Sequence, residues 1–247
     1  MKLKRYAMKS VIKFEKVSFE DSGNLILNNI SFEIKKGENI SLIGNSNTGK
    51  TLIFKLISGL IKPTSGEIFV FEENITKIKE NKLFKIQKEI GLLFQNNALF
   101  DDLTCLKNII FPLLRRDFDK EEAKTKAKLL LKELKLDNVE NLYPDELSGG
   151  MKKRVAIARM LIYAPKLLLF DDPTAGLDPI TAAKIYKIIK NNQNSDNSSI
   201  IISQDLDNIF NLTNRIIILN KNIIGFDGTQ NEFNKIENKE LRDFLRI

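Results

Sequence analysis

Gly44-Asn45-Ser46-Asn47-Thr48-Gly49-Lys50-Thr51 decides how the rest of this 247-residue chain is read. The stretch fits G-x-x-x-x-G-K-[ST], the pattern of a loop that wraps phosphates. Its flanks agree with that reading. Glu38 to Ile43 reads as a short buried strand, and Leu52, Ile53, Leu56, Ile57 and Leu60 share one helical face. A strand entering a loop that opens a helix aims several backbone N–H groups and the positive end of a helix dipole at one point. Lys50 adds a charge within reach of terminal phosphates, Thr51 offers a hydroxyl to a magnesium ion, and Leu52 closes the candidate nucleotide-binding stretch. An ordinary Gly-containing strand-to-helix turn is the plain alternative, and the flanking pattern disfavours it.

Bulk composition narrows the class. Hydrophobic residues make up 43% and charged residues 29%, as in a water-soluble globular domain. The apolar runs are too short for a membrane span. Met1-Lys2-Leu3-Lys4-Arg5 is basic, but no apolar signal-peptide core follows, so the expected location is the cytoplasm. Cys105 is the lone cysteine; it excludes an internal disulfide and reads as small apolar filler. The net charge of +7 comes from lysines spread along the whole chain, which reads as a solvated surface, with no nucleic acid expected as partner. The chain contains no histidine, which bears on mechanism. No internal repeat is visible, so one nucleotide site is expected per chain.

Strand-like stretches at 11–14, 17–19, 27–34, 67–71, 90–94, 167–170 and 200–203 alternate with helical sequence. Lys62 to Gly66 is expected to end the helix that follows the phosphate loop. Between Asn96 and Tyr163 the pattern is helical: Asp119 with Glu122 marks an N-cap, and Ala123, Ala127, Leu130, Leu131 and Leu134 form a stripe of core packing. The run from Asn191 to Ser199 reads as a polar, mobile loop, and 215–219 with 222–226 as a two-strand end. Alternating strands and helices predict an α/β fold with a mostly parallel sheet. Functional residues then gather at strand C-termini, where Asp171 closes the apolar run Leu167–Phe170. Asp171 is expected to hold Mg²⁺ opposite Thr51. Leu147-Ser148-Gly149-Gly150 opens a helix with room for a phosphate and a hydroxyl to bind it. On its own, S-G-G is usually just a helix entry.

These features, in their order, make the chain resemble the ATP-binding subunits of ABC transporters. The matched residues are Gly44–Thr51, Gln95, Leu147-Ser148-Gly149-Gly150, Leu168-Leu169-Phe170-Asp171 and Ala175-Gly176-Leu177-Asp178-Pro179. The resemblance implies a P-loop NTPase (RecA-like) core of mostly parallel sheet, an N-terminal antiparallel β part and an α-helical subdomain. It implies one domain over 1–247, with 1–94 and 164–247 as core and 95–163 as helical subdomain. It further implies ATP and Mg²⁺ as ligands and a head-to-tail homodimer. Ser148, Gly149 and Gly150 of one copy would close over ATP held by Lys50 of the other. Gln95 would contact the metal and report to an integral-membrane permease, and Asp178 would lie at the dimer seam. Peripheral attachment to the inner face of the cell membrane follows. A narrower resemblance, to the ATPases of Mla/MCE-associated phospholipid transporters, rests on Phe94-Gln95-Asn96-Asn97-Ala98-Leu99-Phe100-Asp101-Asp102-Leu103-Thr104, Asn108–Leu113, Met151 and Leu177–Thr181. It implies a small accessory subunit and a periplasmic lipid-binding protein as further partners.

Four positions depart from the family pattern. Asp172 stands where a catalytic Glu is usual, one methylene shorter. Gln204 stands at the usual switch His; it can donate a hydrogen bond but carries no proton-transfer charge. Asn47 replaces a loop Gly, and Asp21 falls near the usual adenine-stacking aromatic. With Asp172, Gln204 and Gln95 as the catalytic set, a slowed ATPase is expected. The alternatives are a nucleotide-gated module with little turnover and a non-transport ABC ATPase.

Overall fold

The computed structural model describes residues 10–203 and 205–235. Strands β1 (Ser10–Asp21), β2 (Asn24–Lys35), β4 (Ser65–Val70) and β5 (Glu73–Asn74) form an antiparallel sheet in the order β2-β1-β4-β5. Strands β3 (Asn39–Ile43), β6 (Ile90–Leu93), β7 (Leu167–Asp171), β8 (Ser198–Ile202), β9 (Arg215–Asn220) and β10 (Ile223–Thr229) form the second sheet. Its order is β10-β9-β3-β8-β7-β6, and every pairing is parallel except β10 with β9. The expected α/β P-loop architecture, with mixed sheets, is therefore what the chain adopts.

Burial explains the two kinds of strand. All five residues of β7 are buried, as a parallel strand covered on both faces requires. In β1 and β2 the inward residues alternate with outward ones, and Phe14 stacks on Phe32 with ring centroids 4.6 Å apart. β1 is one strand where the sequence suggests two. A bulge between Phe14 and Val17, with Lys16 at φ 49°, interrupts the alternation without ending the pairing.

The helices are α1 (Lys50–Ile57), α2 (Glu80–Gln87), α3 (Cys105–Leu114), α4 (Lys120–Glu133), α5 (Gly149–Leu161), α6 (Pro179–Asn192), α7 (Leu206–Ile209) and α8 (Gln230–Phe233). α1 is shorter than the apolar pattern suggests, and Leu60 is 56% exposed rather than on its buried face. Gly59 at φ 65° stops the helix. The Leu60 amide donates to Lys55 O and the Gly59 amide to Leu56 O, a left-handed cap that satisfies two end carbonyls. α4 begins where Asp119 accepts from the amides of Glu121 and Glu122. Its stripe packs as expected, with Ala123, Ala127, Leu131 and Leu134 buried against α3 and α5 in a core of their own.

The polar run at 191–199 is ordered by hydrogen bonds. α6 continues to Asn192, and Ser198 and Ser199 are fully buried in β8. Ser199 Oγ donates to Asn39 Oδ1 at 2.7 Å and accepts from Gln193 Nε2 at 2.8 Å. Internal partners let polar residues occupy a buried strand.

Candidate functional site

β3 delivers the chain to Gly44, and α1 leaves from Gly49. A Cβ on Gly44 would lie 2.7 Å from Thr48 Oγ1 and 2.8 Å from Leu219 O, so only glycine fits there. Gly49 sits at φ 90° with Leu27 packed beneath it. Asn47 sits at φ 63°, a left-handed position that Asn tolerates better than most residues, so the loop survives the loss of its inner glycine. Asn45, Ser46 and Asn47 form the exposed rim, while Thr48 Oγ1 donates inward to Asn45 O at 2.9 Å. Leu52 is half-buried against the main core.

Lys50 is buried at the centre of this loop, with Nζ donating to Gly44 O at 2.8 Å and Asn45 O at 2.6 Å. Burial lowers its proton affinity, and Asp171 and Asp172 oppose that shift. Thr51 Oγ1 donates to Asp171 Oδ2 at 2.8 Å. Burial raises the Asp171 pKa above the usual carboxylate range, against the Thr51 hydrogen bond and the charges of Lys50 and Lys153. One hydroxyl and one carboxylate suit a magnesium ion that completes its shell with phosphate oxygens and water. No cluster of three or more His, Cys, Asp or Glu able to cage a metal occurs among the described residues.

Asp172 follows at the end of β7 with φ 48°; its amide donates to Ile202 O at 3.0 Å. Its side chain lines a cavity of about 360 Å³ with Thr174, Ser203 and Asp205. Burial raises its pKa first and the adjacent Asp171 second. β6 pairs with β7 through Leu93 and Phe170, so Gln95 and Asp172 leave neighbouring strands at the same level. Gln95 is exposed. Gln204 lies outside the described residues, but its flanks are anchored. Ser203 Oγ accepts from the Asp205 amide at 3.1 Å and lies 3.2 Å from Tyr186 Oη, which in turn lies 2.9 Å from Thr174 Oγ1.

Ser148 is the N-cap of α5, accepting from the Met151 amide at 3.3 Å, which leaves its own hydroxyl proton free to donate outward. Ser148 and Gly149 are exposed. A Cβ on Gly149 would touch only Leu177, and one on Gly150 would meet Thr181 Cγ2 at 2.6 Å. Within one chain this tip therefore faces α6 and the turn before it rather than Gly44–Thr51. Asp178 is exposed as the N-cap of α6, where the Thr181 hydrogen bond lowers its pKa.

Two cations escape a reading by sequence. Lys153 is 2% exposed and donates from Nζ to Gln95 O at 2.9 Å. Arg159 donates to Asn97 O at 2.8 Å and Ala98 O at 2.6 Å. In Met151-Lys152-Lys153-Arg154, nothing separates a buried lysine from a solvated one.

The ABC transporter family model matches residues 27–175. The arginine transport ATP-binding protein ArtM of Bacillus subtilis is 35% identical over 237 residues, covering 95% of this chain and 98% of that protein. The intermembrane phospholipid transport system ATP-binding protein MlaF of Haemophilus influenzae is 30% identical over 239 residues, covering 96% and 90%. The ATP-binding cassette MJ0796, solved as a dimer with ADP and phosphate, superposes with a TM-score of 0.81 at 31% identity, over 88% of this chain and 98% of that one. With the loop, the two strand-end aspartates and the Ser148 helix tip in place, the chain belongs to the ABC transporter family, as one of its ATP-hydrolysing cassettes.

Proposed function

We propose that two copies of this chain, head to tail on the cytoplasmic face of a membrane, energise a permease that moves phospholipid. The observation that carries the dimer is the Ser148–Gly150 tip. It is an exposed helix start with a hydroxyl proton to donate, and its neighbours in its own chain are Leu177 and Thr181. A triphosphate gripped by the partner's loop is its natural target. The cassette of MJ0796, solved as a dimer with ADP and phosphate, supports that arrangement.

In this reading Lys50 and the backbone amides of Gly44–Leu52 hold the β- and γ-phosphates. Thr51, Asp171 and Gln95 would hold Mg²⁺, which when bound would neutralise charge developing on the transferred phosphoryl group. Asp172 orients and deprotonates the attacking water, and Gln204 donates to the γ-phosphate. Asp178 lies at the seam between copies. Residues 1–94 and 164–247 act as the nucleotide-binding core and 95–163 as a helical subdomain. Phosphoryl transfer depends on positioning and charge, both of which this set supplies. The shortened Asp172 slows the step.

Phospholipid as cargo is supported by the likeness to MlaF and by the segment 94–113, whose Phe100 and Phe111 rings pack 4.8 Å apart while remaining partly exposed. No helix among the described residues is long and apolar enough to cross a membrane; the permease in this reading is a separate partner. Reconstitution tests the reading. The chain should bind a permease that extracts or inserts phospholipid in vesicles, with an accessory subunit and a periplasmic lipid-binding protein as further partners. Stimulation of hydrolysis by an amino-acid permease instead would replace the cargo and keep the ATPase.

A further inference from the structure

Lys153 is the least expected charge in the molecule. It lies at the fifth residue of α5 with only 2% of its surface exposed. A buried ammonium is costly unless paired and hydrogen-bonded, and a whole buried ion pair can often be replaced by apolar side chains of similar volume at no loss of stability. A buried charged group is therefore weak evidence of a purely stabilising role. Among the described residues its side-chain hydrogen bond goes to the main chain of a site residue, Nζ to Gln95 O at 2.9 Å. Asp172 and Asp171 act on it as the compensating charges.

The loop it grips is under strain. Asn97 and Ala98 are consecutive non-glycine residues in the left-handed region, at φ 61° and 48°. Asn97 Oδ1 is buried with no hydrogen-bond partner. Arg159, six residues further along α5, holds both carbonyls of this pair. A strained loop with an orphaned polar atom keeps its shape only because its surroundings impose it, and here α5 does so through two cations. The same helix begins at Ser148, so one rigid rod joins the tip to the Gln95 loop. Its rise from Ser148 to Lys153 is about 7.5 Å.

We propose that Lys153 is a positioning residue for ATP hydrolysis: it ties the Gln95 main chain to α5, so that Gln95 takes its place only when the helix carrying Ser148 does. The proposal rests on the reading of Gln95 as a site residue. It assigns Lys153 no contact with nucleotide.

The test compares the full-length parent with Lys153→Met and Lys153→Arg in four measurements: steady-state ATP hydrolysis, nucleotide binding, melting temperature, and hydrogen exchange at amides 96–99. Lys153→Met should lower kcat about tenfold, since small misplacements of site groups cost this much or more. KM and binding should stay within about twofold. The melting temperature should fall in Lys153→Met, where Asp171 and Asp172 lose a compensating charge, and recover in Lys153→Arg; a kcat loss well below the melting temperature with KM unchanged is what a merely structural role would not give. Exchange at 96–99 should quicken while α5 amides keep their protection. Lys153→Arg, which retains a donor for Gln95 O, should recover most of kcat. An active parent with an equally active Lys153→Met overturns the proposal alone, as does a loss confined to KM. A parent no faster than Lys50→Ala overturns the hydrolytic reading and the proposal together. Where Lys153→Met does not fold, Lys153→Gln, neutral but still a donor, decides: near-parent kcat with slow exchange supports the tether, and a tenfold loss with the loop still protected overturns it.

Discussion

Thr51 Oγ1 and Asp171 Oδ2 are 2.8 Å apart across 120 residues of sequence. Thr51 belongs to the first turn of α1, and Asp171 closes β7, two strands away from β3 in the sheet. The fold brings a hydroxyl and a carboxylate together with no disulfide or metal cage to hold them. In the proposed function, a magnesium ion held by the pair would take the place of this hydrogen bond.

Metal dependence should follow from that pair. Thr51→Ala should raise the Mg²⁺ concentration for half-maximal hydrolysis about tenfold while changing nucleotide affinity in excess Mg²⁺ far less. Titration of Mg²⁺ at saturating ATP measures this. An unchanged midpoint removes Thr51 from the metal's shell.

Lys50→Ala removes the buried charge at the centre of the loop and should cost at least about 100-fold in hydrolysis. Phosphate release by the purified variant gives the baseline for every other measurement. Parity with the parent would mean that the parent's phosphate comes from a contaminant.

Asp172 links stability to pH. Burial and Asp171 raise its folded pKa above the unfolded value. Such a group contributes stability that is complete below the unfolded pKa and is lost as pH rises through the folded pKa. At neutral pH its ionised form is therefore destabilising. Asp172→Asn should raise the melting temperature there by on the order of 2 °C, with the gain shrinking as pH falls through the folded pKa and gone below about pH 4. Hydrolysis should fall and the ATP-bound dimer accumulate. Calorimetry against pH and size-exclusion chromatography with ATP check the two halves; a variant that melts lower at neutral pH contradicts the first.

Gly150 and Gly149 should differ. A Cβ on Gly150 runs into Thr181 Cγ2 at 2.6 Å, whereas on Gly149 it makes an ordinary 3.9 Å contact with Leu177. Gly150→Ala should displace the α5 tip and abolish the ATP-induced dimer while the monomer still binds nucleotide. Adding Thr181→Ser, which deletes the offending methyl, should restore part of the dimer. No rescue would place the defect at the phosphate rather than at α6.

Base selectivity should be weak. Asp21 is exposed at the end of β1, paired with Asn24 across the hairpin, near where the family resemblance leads one to expect a stacking ring. Hydrolysis of GTP should match that of ATP within about threefold, and Asp21→Tyr should lower KM for ATP. Strong preference for ATP in the parent would mean that another group reads the base.

The amino-acid sequence by itself determined the phosphate loop, the parallel core and the family. Those signals are local: Gly44–Thr51 is contiguous, β7 is a bare apolar run ending in Asp171, and Asp119 caps α4 within three residues. Helix ends were less legible. The apolar pattern carried α1 on to Leu60, but the left-handed cap at Gly59 stops it after Ile57. Only the tertiary structure decided which charges are buried. Lys153 sits among lysines and arginines of identical local appearance, and its burial follows from how α5 packs beneath the Gln95 loop. Likewise Ser198 and Ser199 look like loop residues until β8 pairs with β3 and β7 and gives them partners. Burial and hydrogen-bond partnership depend on contacts between residues far apart in the chain, and local periodicity carries no record of those contacts.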